Sequence, residues 1–411
     1  MKVVNKNISV RIYPSKADKN DNGEKIANIN IIESHFGIYR FIYNQELTYI
    51  NKFRQLLIQN AYSDNVMVNK SSCGILLDIL RDEYSFLEKA ESSSRQQAYI
   101  DLINAFKRFK NPNLKSRNPT LKTKKNKKDN FRIMNNNNNL RLDNDKNGFC
   151  KIRLPKLRLI KFKTSKKYKE LLQKASQPND PTTKIKHVTI KKVNNEYYAV
   201  FNVESIHIPV EIIGPRQQIG IDIGCGKLAV LSNNQAIPNL DLTKEVNKII
   251  HYQQKMSHTK KDSIRYCEAK RLHNKCFEKL VNRRNDYYNK VTAYIVKNCS
   301  FVAVQNENII AWKHNKHLSR KIQLNAPRIF LDMLEYKCKW NNIVFVKVPK
   351  NFPSTQICSH CGKKYKKISG IGNLGIRDWT CPFCGKHHDR DINTSINILN
   401  KGLQIVGTTV Q

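Results

Sequence analysis

The chain has 411 residues, and 73 lysines and arginines against 33 aspartates and glutamates give a formal charge of +40. Self-repulsion of that size disfavours a compact state unless a polyanion neutralises it, so the composition points to a long nucleic acid as partner. No run of about 18 apolar residues occurs, which argues against a bilayer-spanning helix, and the length predicts two to four domains.

The opening segment "MKVVNKNISVRIYPSK" alternates as a strand does and has no apolar h-region, so it does not read as a signal peptide. Eleven cysteines, seven of them single and four in two C-x-x-C pairs, fit an intracellular metal site better than a disulfide framework. A cytoplasmic location is expected, nucleoid-associated in a prokaryote.

Residues 1–13 predict a strand bounded by Pro14. From about Lys25 to Gln59 apolar residues such as Phe36, Tyr39, Tyr43 and Leu47 recur at helical spacing, and a second helical region runs from Gly74 to Phe109. Residues 105–134 then carry eleven basic side chains against the single acid Asp129, with Phe106, Phe109 and Phe131 interleaved. That mixture reads as a segment that tracks phosphates, with Lys107, Arg108, Lys110, Lys122, Lys124, Lys125, Lys127 and Lys128 as its candidate contacts. Five asparagines at 135–139 mark a loop.

Short strands follow between Arg141 and Ile213. "VTIKKVNNEYYAVFNV" reads as a hairpin turning at Asn194-Asn195, and Gly214-Pro215 reads as a hinge. Residues 218–236 predict strand, Gly-rich turn and strand. A long polar helical region spans about Leu242 to Asn298, its face solvated or turned to an anion through Lys270, Arg271, Lys275, Lys279, Arg283 and Arg284. A strand at 301–304, a helix around 320–339, the strand "IVFVKVP" and a last helix at 392–403 complete an alternating α/β pattern.

Cys358 and Cys361 stand nineteen residues before Cys381 and Cys384. The spacing C-x₂-C-x₁₉-C-x₂-C predicts a tetrahedral Zn²⁺ site closed by four thiolates, structural rather than catalytic. Gly362 and Gly385 allow the tight turn after each pair. His360, His387 and His388 are neighbours that a four-thiol site does not need.

Three acids remain. In "QQIGIDIGCGKLAVLSNNQ", Asp222 lies inside an apolar strand, a costly place unless something neutralises it; capping of the turn is the plainer reading. In "HHDRDINTSINIL", Asp389 and Asp391 stand at the positive end of a helix, where capping is again the simple explanation. The strand at 301–304 runs out into Gln305, Asn306, Glu307 and Asn308.

Together "RIYPSK", "FGIYRFIYNQEL", "IRLPKLRLIKFK", "GIDIGCGKLAV" and "FPSTQICSHCG…WTCPFCGKHHDRDINTSINIL" resemble the transposon-encoded TnpB proteins, relatives of type V CRISPR effectors. The cysteine pairs followed at once by D-R-D-x-N are the most specific part. The resemblance implies a multidomain α+β fold: an RNase H-like (RuvC) α/β nuclease core, an inserted four-cysteine zinc ribbon, and an N-terminal β-barrel-like wedge domain holding a helical recognition domain. The boundaries expected are 1–15 and 140–213 for the β-rich wedge, 16–139 for the helical domain, 214–355 and 387–411 for the nuclease, and 356–386 for the ribbon.

The same resemblance implies Asp222 and Asp391 as the first and last ligands of two Mg²⁺ ions, with a glutamate between them where Gln305 stands. Two readings stay open. The nuclease is inactive and the chain is an RNA-guided DNA binder that represses transcription; or Glu307 supplies the carboxylate, because side chains two apart on a strand share a face, roughly 7 Å apart. Arg390 would contact the scissile phosphate or pair with a neighbouring acid. The implied activity is phosphodiester hydrolysis in double-stranded DNA to 5′-phosphate and 3′-hydroxyl ends. It would be directed by a guide RNA from the transposon end, beside a short flanking DNA motif. A monomer is the expected state.

Overall fold

The computed structural model describes all of the chain but residues 1, 16–17, 20–24, 61, 63–67, 125–128, 145–149, 178–179, 181, 210–215, 313–315, 369–374 and 410–411. Contacts divide it into two compact units, Val3–Ile206 and His207–Gln411, the second including the first two residues. The proposed hinge Gly214-Pro215 and the basic residues Lys125, Lys127 and Lys128 lie outside the described residues.

The first unit is built on a seven-stranded sheet. Its strands are β1 (Lys2–Tyr13), β2 (Asn130–Met134), β3 (Arg141–Asn144), β4 (Cys150–Leu154), β5 (Arg158–Lys163), β6 (Thr183–Val193) and β7 (Glu196–His207), in the order β2-β6-β7-β1-β5-β4-β3. Val4, Ile8, Val10 and Ile12 of β1 are buried at alternating positions, as the pleat requires. The β6–β7 hairpin turns where predicted: Asn194 and Asn195 hold φ of 52° and 65°, the left-handed pair that a two-residue type I′ turn needs and asparagine tolerates.

Three helices, α1 (Asn28–Gln59), α2 (Lys70–Glu83) and α3 (Ser92–Lys110), pack on this sheet. The second helical region is thus two helices; Glu91 starts the later one, its carboxylate accepting the Ser94 N–H at 2.8 Å. Ile32, Phe36 and Leu80 from the helices share one core with Phe131, Phe162 and Phe201 from the strands. The helices also keep a smaller cluster of their own, Tyr43, Leu47 and Ile50 of α1 against Leu102 and Phe106 of α3. Within residues 16–139, Asn130–Met134 pairs antiparallel with β6 as part of the sheet. The stretch expected to hold only strands also contains a helix, α4 (Lys166–Ala175), whose Leu172 and Ala175 are buried.

In the second unit a five-stranded sheet runs β10-β9-β8-β11-β12, from β8 (Gln217–Ile223), β9 (Lys227–Leu231), β10 (Ala236–Pro238), β11 (Cys299–Gln305) and β12 (Val344–Val348). The first three form an antiparallel meander, and β8, β11 and β12 are parallel. Helices α5 (Thr243–Ser257) and α6 (Ile264–Asn298) form a hairpin between β10 and β11. Helices α7 (Ile309–Trp312), α8 (Lys316–Asn325) and α9 (Pro327–Trp340) lead to β12. A small ribbon, β13 (Asp378–Thr380) and β14 (His387–Asp389), precedes the last helix, α10 (Arg390–Thr409).

Helix α10 lies against the sheet with no clearance. A Cβ on Gly220 would stand 2.1 Å from the Ser395 carbonyl oxygen and 2.5 Å from the Leu399 nitrogen, and one on Gly402 would stand 2.6 Å from the Ala303 Cβ. Glycine inside a strand marks such an approach. Here it draws the helix carrying Asp391 onto the strand carrying Asp222.

Candidate metal centres and active site

The cysteine ribbon is two copies of one local structure. In each, the glycine after the second cysteine adopts a positive φ, 74° at Gly362 and 71° at Gly385. Its N–H donates to the carbonyl of the first cysteine at 2.9 Å, Gly362 to Cys358 and Gly385 to Cys381. A left-handed residue there is glycine's natural role, and it turns both thiols inward. The four sulfurs all lie within 4.8 Å of one another, with Cys358–Cys384 and Cys361–Cys381 at 3.7 Å. Four Zn–S bonds of about 2.3 Å at tetrahedral angles place sulfurs about 3.8 Å apart, so the quartet fits Zn²⁺ with no position left open.

His388 does more than the sequence suggested. Its Nε2 lies 3.0 Å from Cys358 Sγ, and its ring lies tilted over Trp379 with centroids 4.9 Å apart. An N–H on Nε2 would damp the charge of that sulfur, the usual service of a group behind a ligand.

Asp389 is the cap of α10: its Oδ1 accepts the N–H groups of Asp391 at 2.8 Å and Ile392 at 2.9 Å. That relieves Asp391 of the capping role and leaves its carboxylate in the first turn, near the positive end of the helix. Arg377 meets it, Nη1 lying 3.4 Å from both oxygens. Sequence reasoning missed Arg377, a single arginine in "GIRDWT" that no spacing singles out. Arg390 is buried, and its backbone N–H donates to the Arg377 carbonyl at 2.7 Å. Its charge is felt at Asp222.

Asp222 feels the negative charges of both Asp391 and Glu307. Burial first, then the negative charges of Asp391 and Glu307, push the Asp222 carboxyl up to about 8, against the opposing pull of Arg390 and the Ile223 N–H. Burial also raises Glu307, opposed by a hydrogen bond from Trp312. Among the described residues only the cysteine quartet has all its ligand atoms within 4.8 Å, so the carboxylates stand further apart than the sulfurs. Three like-charged, hard oxygen donors in a partly buried place suit a hard divalent cation.

Glu307 reaches this position by a route different from strand alternation. Strand β11 ends at Gln305, and the next residues turn: Asn306 N–H donates to the Val348 carbonyl and Glu307 N–H to the Gln305 carbonyl, both at 2.9 Å. The shared-face argument is therefore corrected; Glu307 lies past the strand end, in a tight turn. Gln305 itself is engaged elsewhere. Its amide nitrogen donates to the Phe352 carbonyl at 2.8 Å, and its oxygen accepts the Ser354 hydroxyl at 2.5 Å.

The candidate nucleic-acid residues divide. Lys107, Arg108, Lys110 and Lys124 are exposed. Lys122 is drawn inward, its ammonium 4.5 Å and 3.9 Å from the ring centres of Tyr39 and Tyr43. Its backbone is latched to Asn44 by two reciprocal hydrogen bonds of 2.8 and 2.9 Å. It fastens the basic segment to α1 rather than offering charge to solvent. On α6, Arg284 is buried with Nη1 donating to the Leu324 carbonyl at 2.7 Å, and Arg283 pairs with Glu245 at 2.5 Å. The first ties α6 to α8 and the second ties α6 to α5, while Arg271 and Lys275 on the same helix are exposed.

Known proteins share parts of this sequence and its fold. The family described as "Probable transposase" matches residues 200–315, and "Cas12f1-like, TNB domain" matches residues 328–398. A solved Cas12f1-sgRNA-target DNA complex superposes with a TM-score of 0.64 at 15% identity, covering 97% of this chain and 99% of that one. The molecule is thus a multidomain mixed α/β protein with the Cas12f fold and a four-cysteine cluster. Among curated relatives, a "Putative RNA-guided DNA endonuclease" of Streptomyces pristinaespiralis is 31% identical over 186 residues, 45% of each chain. A "Putative RNA-guided DNA endonuclease InsQ" of Escherichia coli K12 is 24% identical over 384 residues, 89% of this chain and 87% of the relative. These likenesses agree with the resemblance to transposon-encoded TnpB proteins read from the sequence motifs.

Proposed function

We propose that this chain is an RNA-guided DNA endonuclease of the TnpB type. In this reading the five-stranded sheet with α10 is a RuvC-type, RNase H-like core. The seven-stranded sheet is the wedge and α1–α3 the recognition helices. Guide RNA and double-stranded DNA are the partners. The names of its relatives support this reading, as does the +40 charge.

One observation carries the catalytic part. Glu307, turned past the strand end, joins Asp391 in raising the Asp222 carboxyl to about 8, an electrostatic coupling of three carboxylates although Gln305 holds the place of the usual glutamate. Asp222, Glu307 and Asp391 would hold Mg²⁺, which when bound supplies an activated water and neutralises charge at the phosphodiester. The protein's own cations have separate work. Arg377, exposed beside Asp391, and Arg390, whose charge reaches Asp222, would hold a phosphate against the carboxylates. The ribbon would hold a structural Zn²⁺ through Cys358, Cys361, Cys381 and Cys384. His388 behind Cys358 and Asp389 capping α10 would pass its rigidity to Asp391.

The glutamine at 305 favours a second reading, an RNA-guided binder that does not cut. The two are separated by purifying the chain with its co-expressed RNA and adding Mg²⁺ and a guide-matched plasmid. The nuclease reading expects cleavage that falls by about a hundredfold or more in Glu307→Gln and in Asp222→Asn, with DNA binding kept. Tight guided binding by the wild type without any cut would establish the binder instead.

A further inference from the structure

We propose that Gln305 is a positioning residue of the active site. Its amide ties the segment leading to the first zinc knuckle to the strand end from which Glu307 turns. The proposal rests on the nuclease reading for its consequence, but its geometry stands alone.

Gln305 is only 9% exposed, and both halves of its amide are used in opposite senses. The nitrogen donates to the Phe352 carbonyl at 2.8 Å and lies 3.4 Å from that of Lys350; the oxygen accepts from Ser354 Oγ at 2.5 Å. An ionised carboxylate accepts only. A glutamate here would aim an anionic oxygen at two carbonyl oxygens in a buried place, losing hydrogen bonds and adding repulsion. The site is shaped for an amide.

The tie continues on both sides. The Gln305 backbone carbonyl accepts the Glu307 N–H at 2.9 Å, closing the turn that presents Glu307. On the other side, the Ser354 carbonyl accepts Asn397 Nδ2 at 2.8 Å, and the Ile357 carbonyl accepts both Asn397 Nδ2 at 2.6 Å and Asn393 Nδ2 at 2.8 Å. Asn393 Oδ1 in turn accepts the N–H of Ser359, inside the first knuckle, at 2.8 Å. Ser354, Asn393 and Asn397 are 3%, 1% and 4% exposed. Asn393 and Asn397 belong to α10, the helix of Asp391. One buried polar chain thus links the Glu307 turn, residues 352–359 and the Asp391 helix, and such a network holds its members in place only while each is satisfied. The glutamine that replaces a family ligand has become the fastening that lets a neighbour serve.

The test compares Gln305→Glu, Gln305→Ala and Ser354→Ala with Glu307→Gln in the full chain bound to its RNA. Amide hydrogen exchange over 352–359 is read alongside the Mg²⁺ concentration for half-maximal cleavage. Gln305→Glu is expected to give no gain in cleavage, to speed exchange over 352–359 by about tenfold, and to raise the Mg²⁺ requirement several-fold. Gln305→Ala, which removes both hydrogen bonds, should act in the same direction. Ser354→Ala, which removes one hydroxyl, should move both readouts the same way by less. Glu307→Gln should abolish cleavage and leave exchange unchanged. The proposal is overturned if Gln305→Glu leaves exchange unaltered, cleaves faster than wild type, or restores cleavage in the Glu307→Gln background. A wild type that never cuts defeats the nuclease reading, while the exchange result still decides the tie.

Discussion

Single residues in this chain are understood by asking what each polar atom meets. Gln305 and Glu307 stand two positions apart, yet one amide is consumed by Phe352 and Ser354 while the charge of the carboxylate two residues on is felt at Asp222. Glu46 poses the same question without an answer in the active site. It is fully buried on α1, neither carboxylate oxygen has a hydrogen-bonded nitrogen or oxygen donor, and burial raises it to about 8 against the pull of the Cys73 thiol. Between its ordinary 4.5 and that value, the folded chain keeps a proton the unfolded chain has lost, so stability falls as pH rises through this window. The penalty at the alkaline end is on the order of a few kcal/mol. Glu46→Met should therefore raise the thermal midpoint by roughly 5–10 °C at alkaline pH and by far less in acid. A gain equal at both ends would show that packing, not ionisation, is responsible.

Elements meet here through small residues. The apolar positions of α10, among them Ile398 and Leu399, announce a helix with one buried face, but the depth to which it sinks is set by Gly220 and Gly402. At 2.1 Å from a backbone oxygen, an added methyl on Gly220 cannot be absorbed by a side-chain rotation; the helix must lift. Gly220→Ala is expected to cost about 1–3 kcal/mol and to lower cleavage more than the stability loss explains, since Asp391 would withdraw from Asp222. Unfolding curves and cleavage rates on the same preparation check this; an alanine variant with wild-type rates would remove the helix from the argument. The cysteine ribbon behaves otherwise. Its two C-x-x-C-G turns are local, so their form was legible from spacing alone, while the contacts of His388 and Asn393 that bind it to α10 were not.

On the scale of the whole molecule the charge dominates. A chain at +40 gains most from a polyanion when salt is low, because neutralised phosphates release counterions. Purified with structured RNA, the chain should melt higher than without it at about 50 mM salt, and the difference should shrink steeply by about 200 mM and beyond. A salt-independent gain would mean that the contacts are not chiefly ionic. The chain divides into Val3–Ile206 and His207–Gln411, and in the first unit residues of α1–α3 join the core of the seven-stranded sheet. Among the described residues, no helix is long and apolar enough to cross a membrane.

Features that depend on neighbours in the chain were written in the sequence: the Asn194-Asn195 turn, the two C-x-x-C-G turns, the apolar strands around Asp222 and the amphipathic helices. So was the resemblance to TnpB proteins, because its motifs are runs of residues. What required the folded chain was every relation between distant segments. These are the packing of helices and sheet into a shared core, the turning of Lys122 and Arg284 inward and the pairing of Arg283 with Glu245 on faces that looked free, the arrival of Arg377 at Asp391, and the separate fates of Gln305 and Glu307. Periodicity reports which face of an element is apolar, whereas the partner of a buried polar group is chosen by geometry that only tertiary packing supplies.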